Sequence, residues 1–312
     1  MRKFAIIDCG TNTFNLLLAE AGKAAIRIVH EQKIPVKIGK GGIADGRITE
    51  EAAQRALEAL KDYAEQIRRF GPDEIFAFAT AAFRRARNGG QLKQEFFKET
   101  GITIHTISGE EEARLIANGV LHDYPVTGPV LIMDIGGGST EFIISGPEGI
   151  MQSWSFELGA SRLLEEFRPA DPITPEEIEK IRAHFAGLLH PVVDAVHQSG
   201  ASMLIGSSGF FDTLSEMAFY RFNLPDHPKN QVRYSVTAEQ FLELYDMILP
   251  MPMEERLKVP GLAAFRADMI VVSFLQAGYI LERTAIRKIV NTRFSLKEGI
   301  LFQKWEEWKE TL

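Results

Sequence analysis

Length, composition and charge already exclude several classes of protein. The chain has 312 residues, of which 45% are hydrophobic and 25% are charged, as in a globular protein without a long disordered segment. This length suits two packed domains, and two domains imply a cleft between them. The net charge of −7 argues against a general nucleic-acid or membrane-surface binder, because both need a broad positive field.

The start of the chain and its cysteine content indicate a cytoplasmic protein. The apolar run in MRKFAIIDCG is too short for a signal peptide or a membrane span, and it ends at Asp8. Cys9 is the only cysteine, so the chain forms neither an internal disulfide nor a cysteine-based zinc site. The seven histidines show no metal-binding spacing such as HExxH.

The first half of the chain alternates predicted strands and helices. A strand at 4–7 runs into a turn-prone stretch at 8–13, and a second strand follows at 14–19. Apolar residues at helical spacing predict a helix over 49–70, which Gly71 and Pro72 end. The remaining predicted elements are a strand at 74–80, a helix at 91–100, a strand at 102–107 and a helix at 109–121, which together form an α/β unit.

The opening strand, loop and strand recur about one domain length later. A strand at 130–133, a loop at 134–140 and a strand at 141–144 repeat the pattern that begins the chain. This spacing indicates a duplicated fold with one glycine-bearing loop in each half, both facing the cleft. The turn-rich stretch PVTGP marks the boundary, which divides the chain into predicted domains 1–125 and 126–312.

The second half is predicted to repeat the α/β mixture. Its predicted elements are helices at 174–197, 210–220, 237–249 and 266–283, and strands at 202–205 and 288–290. A last helix begins near residue 295. The sequence leaves open whether its residues from about 297 to 312 pack back on the first domain.

The loop DIGGGST at 134–140 is the most informative motif. Three consecutive glycines cost backbone entropy unless the backbone must approach another group closely. Phosphate suits such a loop, because N–H groups and hydroxyls donate to its oxygens while neighbouring carboxylates hold Mg²⁺; a plain glycine-rich turn is the alternative. It is not a Walker loop, since no GK[ST] follows. The phosphate-binding candidates are Gly136, Gly137, Gly138, Ser139 and Thr140, and the metal-ligand candidates are Asp134 and Glu141.

DCGTNT at 8–13 is the weaker member of this pair of loops. Alone, such a stretch is more often a turn than a site. Its position one domain length before DIGGGST makes a second phosphate loop the better interpretation, since it offers a carboxylate and several hydrogen-bond donors. The phosphate-binding candidates here are Asp8, Thr11, Asn12 and Thr13.

The stretch SGEEEAR at 108–114 begins the helix that precedes the second loop. Ser108 and Glu111 match a capping box, and Glu110 is favoured by the helix dipole. Glu112 has no such local explanation, because an apolar residue is usual at the fourth helical position. Glu112 is therefore a candidate general base, with a third solvated glutamate as the alternative.

The stretch ATAAFRRARN at 79–88 places three arginines after a predicted strand. Arginine suits two-pronged contacts with phosphate, and Arg84 is the one that we select as a phosphate contact. The alternative is a solvated basic surface. The loop KIGKGG at 37–42 and the stretch GSSG at 206–209 are further candidates for contact with a ligand.

Taken in order, these motifs resemble the family of exopolyphosphatases and guanosine pentaphosphate phosphohydrolases, Ppx/GppA, along nearly the whole chain. The motifs are DCGTNT, ATAAFRRARN, ISGEEEAR, DIGGGSTE, LGASRL, GSSG, RAD and LKEG. The resemblance implies an α/β fold of two ribonuclease H-like domains, of the actin, sugar kinase and Hsp70 superfold, with an interdomain cleft. It also implies Mg²⁺-dependent hydrolysis of the terminal phosphate of inorganic polyphosphate, or of the 5′ γ-phosphate of guanosine pentaphosphate (pppGpp).

The resemblance also implies roles for individual residues. Matching motifs make Glu112 the general base that activates water, Asp134 and Glu141 the metal-site residues, and Arg84 a phosphate clamp. The implied phosphate cradle consists of Thr11, Asn12, Gly137, Gly138, Ser139 and Thr140. The expected ligand is inorganic polyphosphate or pppGpp, and neither nucleic acid nor a membrane is expected as a partner. Whether the chain forms a homodimer is left open.

Two departures from the family pattern and two other functions qualify this expectation. Phe210 and Phe211 follow GSSG where the family usually has a small residue, which weakens the case for a nucleotide base pocket. Lys297 stands in LKEG where arginine is common. A sugar or acetate-type kinase and a non-catalytic sensor of a phosphate ligand use the same superfold, and phosphate loops alone do not exclude them.

Overall fold

The computed structural model describes residues 1–312 and contains two β-sheets with helices packed on and between them. The first half holds strands β1 to β5 and helices α1 to α4. The strands are β1 (Arg2–Cys9), β2 (Thr13–Ala21), β3 (Ile26–Pro35), β4 (Glu74–Ala79) and β5 (Ile104–Thr106). The helices are α1 (Glu50–Phe70), α2 (Ala81–Arg85), α3 (Gly89–Thr100) and α4 (Gly109–Asp123).

The second half holds the remaining strands and helices. The strands are β6 (Val130–Ile135), β7 (Thr140–Gly146), β8 (Gly149–Phe156), β9 (Met203–Ser207), β10 (Arg233–Thr237) and β11 (Lys288–Thr292). The helices are α5 (Ala160–Phe167), α6 (Pro175–Ser199), α7 (Ser208–Phe222), α8 (Ala238–Ile248), α9 (Met253–Arg256), α10 (Ile270–Glu282) and α11 (Leu296–Glu310). None of the helices is both long and apolar enough to cross a bilayer.

The two sheets repeat one topology, which confirms the predicted duplicated α/β fold. Their strand orders are β3-β2-β1-β4-β5 and β8-β7-β6-β9-β11-β10. In each sheet the first three strands form an antiparallel meander, and the first strand also pairs in parallel with the strand that follows the helical crossover. The added edge strand β10 is the one feature of the second sheet without a counterpart in the first.

Helices α4 and α11 lie between the two sheets. A buried apolar cluster there joins residues of β1, β2, β6 and β7 to the inner faces of both helices, including Phe4, Ile132 and Ile300. Alternation along β1 and β6 sends the even-numbered residues of each strand towards this central layer, and Asp8 and Asp134 continue these rows. The strand pattern therefore turns both aspartates towards the same interior.

Two glycines allow α4 and α11 to cross in close contact. A Cβ atom on Gly299 would lie 1.8 Å from the carbonyl oxygen of Leu115, and one on Gly119 would lie 2.3 Å from that of Ser295. Only glycine fits at such a contact without separating the helices. The last helix also contacts β1, so it packs on an element of the first half, which the sequence left open. The division into domains 1–125 and 126–312 stays a prediction.

The sequence missed five elements, and half of one predicted cap is absent. The strands β3, β8 and β10 and the helices α5 and α9 lie where no element was predicted, because the edge strands are half exposed and the two helices have only eight and four residues. Ser108 caps α4 by accepting a hydrogen bond from the N–H of Glu111, as predicted. The reciprocal half of the predicted capping box is absent, because the carboxylate of Glu111 instead binds Arg114.

Candidate active site

The two glycine-bearing loops have the same backbone geometry. In each hairpin four residues lie between the last paired residues of the two strands, Gly10–Thr13 in the first half and Gly136–Ser139 in the second. The N–H of the first residue donates to the carbonyl of the fourth over 3.1 Å in one loop and 3.0 Å in the other. The aspartate two residues before each loop, Asp8 or Asp134, therefore occupies an equivalent position.

The loops face each other in direct contact. A Cβ atom on Gly137 would lie 2.6 Å from the side chain of Asn12, and one on Gly138 would lie 2.7 Å from Oγ1 of Thr11. A side chain at residue 137 or 138 would displace the side chain of Asn12 or Thr11. The glycines of DIGGGST thus allow the two loops to meet, in addition to exposing their backbone.

The loops present hydrogen-bond donors that the protein does not use. The backbone N–H groups of Thr11, Asn12, Gly137 and Gly138 make no hydrogen bond within the chain. An unpaired N–H group is costly away from water, and converging N–H groups form a site for an anion. The two loops together therefore offer a cradle for phosphate oxygens.

The loops form part of the wall of one cleft of about 550 Å³. Most of the predicted site residues line it. These are Asp8, Thr11, Asn12, Thr13, Glu112, Asp134, Gly136, Gly137, Gly138 and Ser139. The structure thus brings ten of the predicted residues together, although they come from three separate stretches of the chain.

Three predicted residues lie outside the wall of this cleft. Thr140 is fully buried, and its hydroxyl lies within hydrogen-bond distance of the carbonyl of Leu158 and of Oε1 of Gln276. Glu141 is buried behind the second loop. Arg84 lines a second, smaller cavity on the far side of Glu112. The predicted roles of these three residues stay predictions.

Asp8 holds one carboxylate oxygen in place and leaves the other unpaired. Its Oδ2 accepts a hydrogen bond of 2.9 Å from Nδ2 of Asn15, whereas Oδ1 is buried without a partner. Removal from bulk water raises the pKa of Asp8 to about 6, the hydrogen bond from Asn15 opposes this rise, and the charge of Asp134 adds to it. A buried carboxylate oxygen without a partner is a natural ligand for a cation.

Asp134 is fixed by two hydroxyl groups. Its Oδ2 accepts hydrogen bonds from Ser207, over 2.7 Å, and from Ser295, over 2.8 Å. Burial raises the pKa of Asp134, and the two hydroxyls partly offset the rise because they favour the ionised form. The residue thus joins the second loop to β9 and to the residue that precedes α11.

Glu112 enters the cleft from the first turn of α4. It is 7% exposed, and its Oε2 accepts a hydrogen bond of 3.0 Å from Nη1 of Arg84. Burial raises the pKa of Glu112 to about 7, although the charge and the hydrogen bond of Arg84 oppose the rise. The charges of Asp8 and Asp134 raise it further. The position is therefore that of a buried, paired carboxylate, and not of a third solvated glutamate.

Glu141 is held by two serines behind the second loop. Its Oε1 accepts hydrogen bonds of 2.7 Å from both Ser139 and Ser155. Burial raises the pKa of Glu141 well above its usual value, and the charges of Glu112 and Asp134 act in the same direction. The bond from Ser139 gives Glu141 a way to position a residue of the second loop.

The carboxylates suit a magnesium ion that is also bound by substrate. No group of three acidic, histidine or cysteine side chains forms a closed metal site. Mg²⁺, however, commonly binds one or two carboxylates together with water and phosphate oxygens. The unpaired Oδ1 of Asp8 fits this requirement. The charge of Asp134 raises the pKa of Asp8, and the charges of Asp8 and Asp134 raise the pKa of Glu112, as like charges do. A cation among them would relieve that repulsion.

Basic side chains line the cleft beyond the loops. Lys33 comes from β3, Arg266 precedes α10, and Lys297 begins α11. Arg266 is held by Thr213, whose Oγ1 accepts from Nη1 over 2.6 Å, and Lys297 lies 3.0 Å from Glu31. The Nζ of Lys33 makes no ion pair or hydrogen bond within the protein. This arrangement offers positive charge to a ligand that extends away from the two loops.

Several site residues were missed from the sequence alone. Asn15, Ser207 and Ser295 position the two aspartates, and Ser161 donates a hydrogen bond of 2.6 Å to Oδ1 of Asn12. Ser207 belongs to the stretch GSSG, which the sequence offers as a candidate for ligand contact and not as a partner of Asp134. The equivalence of the two loops could have revealed Asn15. It lies opposite Asp8 in the first hairpin, as Glu141 lies opposite Asp134 in the second.

The loop KIGKGG and the stretch RAD meet across the cleft. Nζ of Lys37 lies 3.2 Å from Oδ2 of Asp268, and the N–H of Gly41 donates to Glu165 over 2.7 Å. Phe210, which follows GSSG, also lines the cleft and packs against Phe274. The loop is therefore engaged with the second half of the protein and is not a free surface loop.

Comparison with known protein sequences points to one family. The sequence profile described as the Ppx/GppA phosphatase family matches residues 17–307. The chain is 27% identical to Exopolyphosphatase 1 of Mycobacterium tuberculosis over 305 residues, covering 97% of this chain and 88% of the relative. It is 29% identical to Exopolyphosphatase 2 of the same organism over 319 residues, covering 96% and 98%.

Solved structures show the same fold over the full length. The crystal structure of an exopolyphosphatase from Cytophaga hutchinsonii is 34% identical and superposes with a TM-score of 0.94, covering 98% of each chain. The Aquifex aeolicus member of the Ppx/GppA family is 25% identical, with a TM-score of 0.81 and the same coverage. Because the family profile spans most of the residues and the fold agrees throughout, the chain belongs to the Ppx/GppA phosphatase family.

Proposed function

We propose that the chain is an exopolyphosphatase that uses Mg²⁺ and water to remove the terminal phosphate of inorganic polyphosphate. The observation that carries this proposal is the position of Glu112 in the same cleft as two loops with unpaired N–H groups. A carboxylate with a pKa of about 7 is partly ionised near neutral pH and can take a proton from water. The names of the relatives in M. tuberculosis and C. hutchinsonii support the same substrate.

The two loops bind the terminal phosphoryl group in this proposal. The N–H groups of Thr11, Asn12, Gly137 and Gly138 donate to its oxygens, and they are already directed by the contact between the loops. Donors that are fixed before the reaction stabilise a developing charge without reorganising. The rest of the polyphosphate chain extends along the cleft towards Lys33 and its basic neighbours.

Glu112 orients a water molecule and accepts its proton. The water oxygen forms a bond to the terminal phosphorus while the bridging P–O bond on the opposite side breaks. The proton passes to Glu112, and the shortened chain departs with the electron pair of the bridging oxygen. Arg84 directs the carboxylate through the bond from its Nη1.

Asp8 and Asp134 are the residues that would hold Mg²⁺, with Glu141 behind them. When bound, Mg²⁺ neutralises charge on the phosphoryl oxygens and helps to orient them. Asp8 contributes an unpaired oxygen, and Asp134 is kept in one orientation by Ser207 and Ser295. The role of Ser139 is to donate to Glu141 while its backbone forms part of the second loop.

The second candidate function is hydrolysis of the 5′ γ-phosphate of pppGpp. Phe265 and Phe294 line the cleft beyond the loops, and an aromatic wall can contact a nucleobase. A kinase is the third alternative, because the same loops can present a phosphoryl group to an alcohol. The buried carboxylate of Glu112 favours a catalytic function over a sensor, since a sensor without catalysis has no need of a base.

A single set of assays separates these functions. Phosphate release is measured from polyphosphate, pppGpp and ATP with Mg²⁺ and without an acceptor alcohol, and each assay is repeated with excess chelator. We expect release from polyphosphate at the highest kcat/KM, and loss of release with the chelator. Release from pppGpp alone would establish the second candidate. Absence of phosphate release, together with phosphorylation of an added alcohol, would overturn the proposal in favour of a kinase.

A further inference from the structure

The ion pair of Arg84 and Glu112 separates the main cleft from a second cavity. Glu112 lines the cleft of about 550 Å³, whereas Arg84 lines a cavity of about 370 Å³ on the other side. The two side chains are 3.0 Å apart. The second cavity is otherwise lined by Gly109, Glu110, Ser153, Trp154, Ser155 and Glu157.

Helix α4 and strand β8 pack closely beside this pair. The start of α4 contacts β8 there, where a Cβ atom on Gly109 would lie 2.5 Å from Oγ of Ser155. Glu110 and Ser153 are exposed or half-exposed, so the second cavity opens to solvent, and it shares no lining residue with the cleft. Because Glu112 lines the cleft and Arg84 lines the second cavity, their ion pair is the contact whose opening could join the two spaces.

The order of events at the site creates a need for such an opening. In an in-line displacement, the attacking and leaving oxygens lie on opposite sides of the phosphorus. Since Glu112 holds the water, the released phosphate lies between Glu112 and the shortened chain. While the chain stays in the cleft, it blocks the way to the mouth. The phosphate is then enclosed by the two loops, the chain and the Arg84–Glu112 pair.

We propose that inorganic phosphate leaves through the second cavity when the Arg84–Glu112 pair opens. This inference rests on the proposed hydrolysis of polyphosphate. Once Glu112 carries the proton of the attacking water, its attraction to Arg84 falls, and the guanidinium becomes available to the phosphate. Nη2 of Arg84 takes part in neither of the hydrogen bonds that Arg84 makes, and Gly109 lies beside it.

The charges around the second cavity favour passage over retention. Arg84 is the basic residue that lines the cavity, whereas Glu110 and Glu157 are acidic. Glu157 is partly neutralised, because Arg85 lies 3.5 Å from its Oε2 and Arg162 also pairs with it. An anion drawn in by Arg84 therefore meets acidic groups at the rim, which lower the affinity of the cavity for phosphate.

The cavity can be blocked after the protein has folded. Ser153 lines the cavity from β8, and the only cysteine of the chain, Cys9, is 1% exposed. The variant Ser153→Cys is therefore modified selectively with a benzyl methanethiosulfonate. Gln152→Cys, on the same strand but outside the cavity lining, is the matched control, and unmodified Ser153→Cys shows that the fold is retained.

Two measurements on each protein distinguish chemistry from release. Acid quench reports the formation of phosphate in the first turnover, and a fluorescent phosphate sensor reports its release. With long-chain polyphosphate, we expect modified Ser153→Cys to form phosphate within about twofold of the unmodified variant but to release it about tenfold more slowly, as expected when product exit becomes rate-limiting. Modified Gln152→Cys is expected to match its unmodified form in both.

The length of the polyphosphate substrate provides an internal test of the exit route. With tripolyphosphate, the shortened product vacates the cleft after one turnover, so the modification at residue 153 is expected to have little effect on release. Unchanged release from long chains after modification overturns the exit route, as does an equal slowing of formation and release. Absence of phosphate formation by the unmodified wild type overturns the proposed function itself, which is a separate outcome.

Discussion

Nη1 of Arg84 donates to Oε2 of Glu112 over 3.0 Å, and the same nitrogen donates to the carbonyl of Ile107. The guanidinium thus connects α2 to the segment that enters α4. It holds the proposed base from behind and leaves the other side of the carboxylate facing the cleft. Four predictions concern Glu112, its pKa, the neighbouring carboxylate of Asp8 and the helix crossing at Gly299.

Removal of the carboxylate at residue 112 tests its role as the base. Glu112→Gln keeps the size of the side chain and a hydrogen-bond acceptor but cannot take a proton from water. We expect kcat to fall by about 10²–10⁴-fold while polyphosphate still binds. Turnover assays and equilibrium binding measure the two effects. Glu111→Gln, on the same helix but outside the cleft, is the control, and wild-type turnover in Glu112→Gln would remove Glu112 from the mechanism.

The pH profile reports the ionisation of Glu112. Because the base must be ionised, we expect kcat/KM to fall as pH decreases through about 7, the pKa of Glu112. Arg84 lowers this pKa, so Arg84→Met is expected to move the acid limb to higher pH by about one unit. Profiles of both proteins between about pH 5 and about pH 9, a range that brackets the pKa of Glu112 and its expected shift, test this prediction. A shift to lower pH would contradict the assignment.

Asp8 is expected to lower the stability of the protein in the absence of a bound cation. Its pKa is raised from 3.8 to about 6, so the folded state binds more protons than the unfolded state between these values. Stability therefore falls as pH rises through this window, and the full cost is present above about 6. We expect Asp8→Asn to raise the free energy of unfolding at pH 7 by an amount on the order of 1 kcal/mol.

Denaturant titrations of wild type and Asp8→Asn at several pH values measure this gain. It is expected to shrink as pH decreases towards 4, where wild-type Asp8 is protonated in the folded state. Added Mg²⁺ is expected to raise the melting temperature of the wild type more than that of Asp8→Asn. A gain that is independent of pH, or an equal response to Mg²⁺, would show that the charge of Asp8 is not the cause.

The glycine at residue 299 is expected to be essential for the crossing of α4 and α11. In Gly299→Ala the new Cβ would lie 1.8 Å from the carbonyl oxygen of Leu115, so the helices must separate. We expect a loss of about 1–3 kcal/mol in the free energy of unfolding, and reduced kcat because α4 carries Glu112.

A second helical glycine offers the matched control for that prediction. Gly187 lies in α6 with open space where its Cβ would be. Gly187→Ala is expected to leave activity unchanged and to stabilise the protein by up to about 1 kcal/mol, because alanine is the better helix former. If Gly299→Ala were as stable and active as Gly187→Ala, the close helix crossing would have no energetic role.

The repeated hairpins were predictable because their signals are local. A buried strand that ends at an aspartate, followed by glycines and hydroxyl residues and then by a second strand, specifies the same hairpin near residue 8 and near residue 134. The helix over Glu50–Phe70 was predictable for the same reason, since Thr49 caps its start and Gly71 ends it in the left-handed conformation. Edge strands such as β3 were missed because their alternation is weak and both faces include exposed residues.

Sequence patterns alone therefore determined the duplicated α/β fold, the two phosphate-type loops and the unusual position of Glu112 in its helix. The tertiary structure decided which groups meet: the contact of Gly137 with Asn12, the serines that orient Asp134, and the placement of Arg84 behind Glu112. The physical reason is that strand periodicity and helix capping depend on neighbours along the chain, whereas packing and pKa shifts depend on residues far apart in sequence.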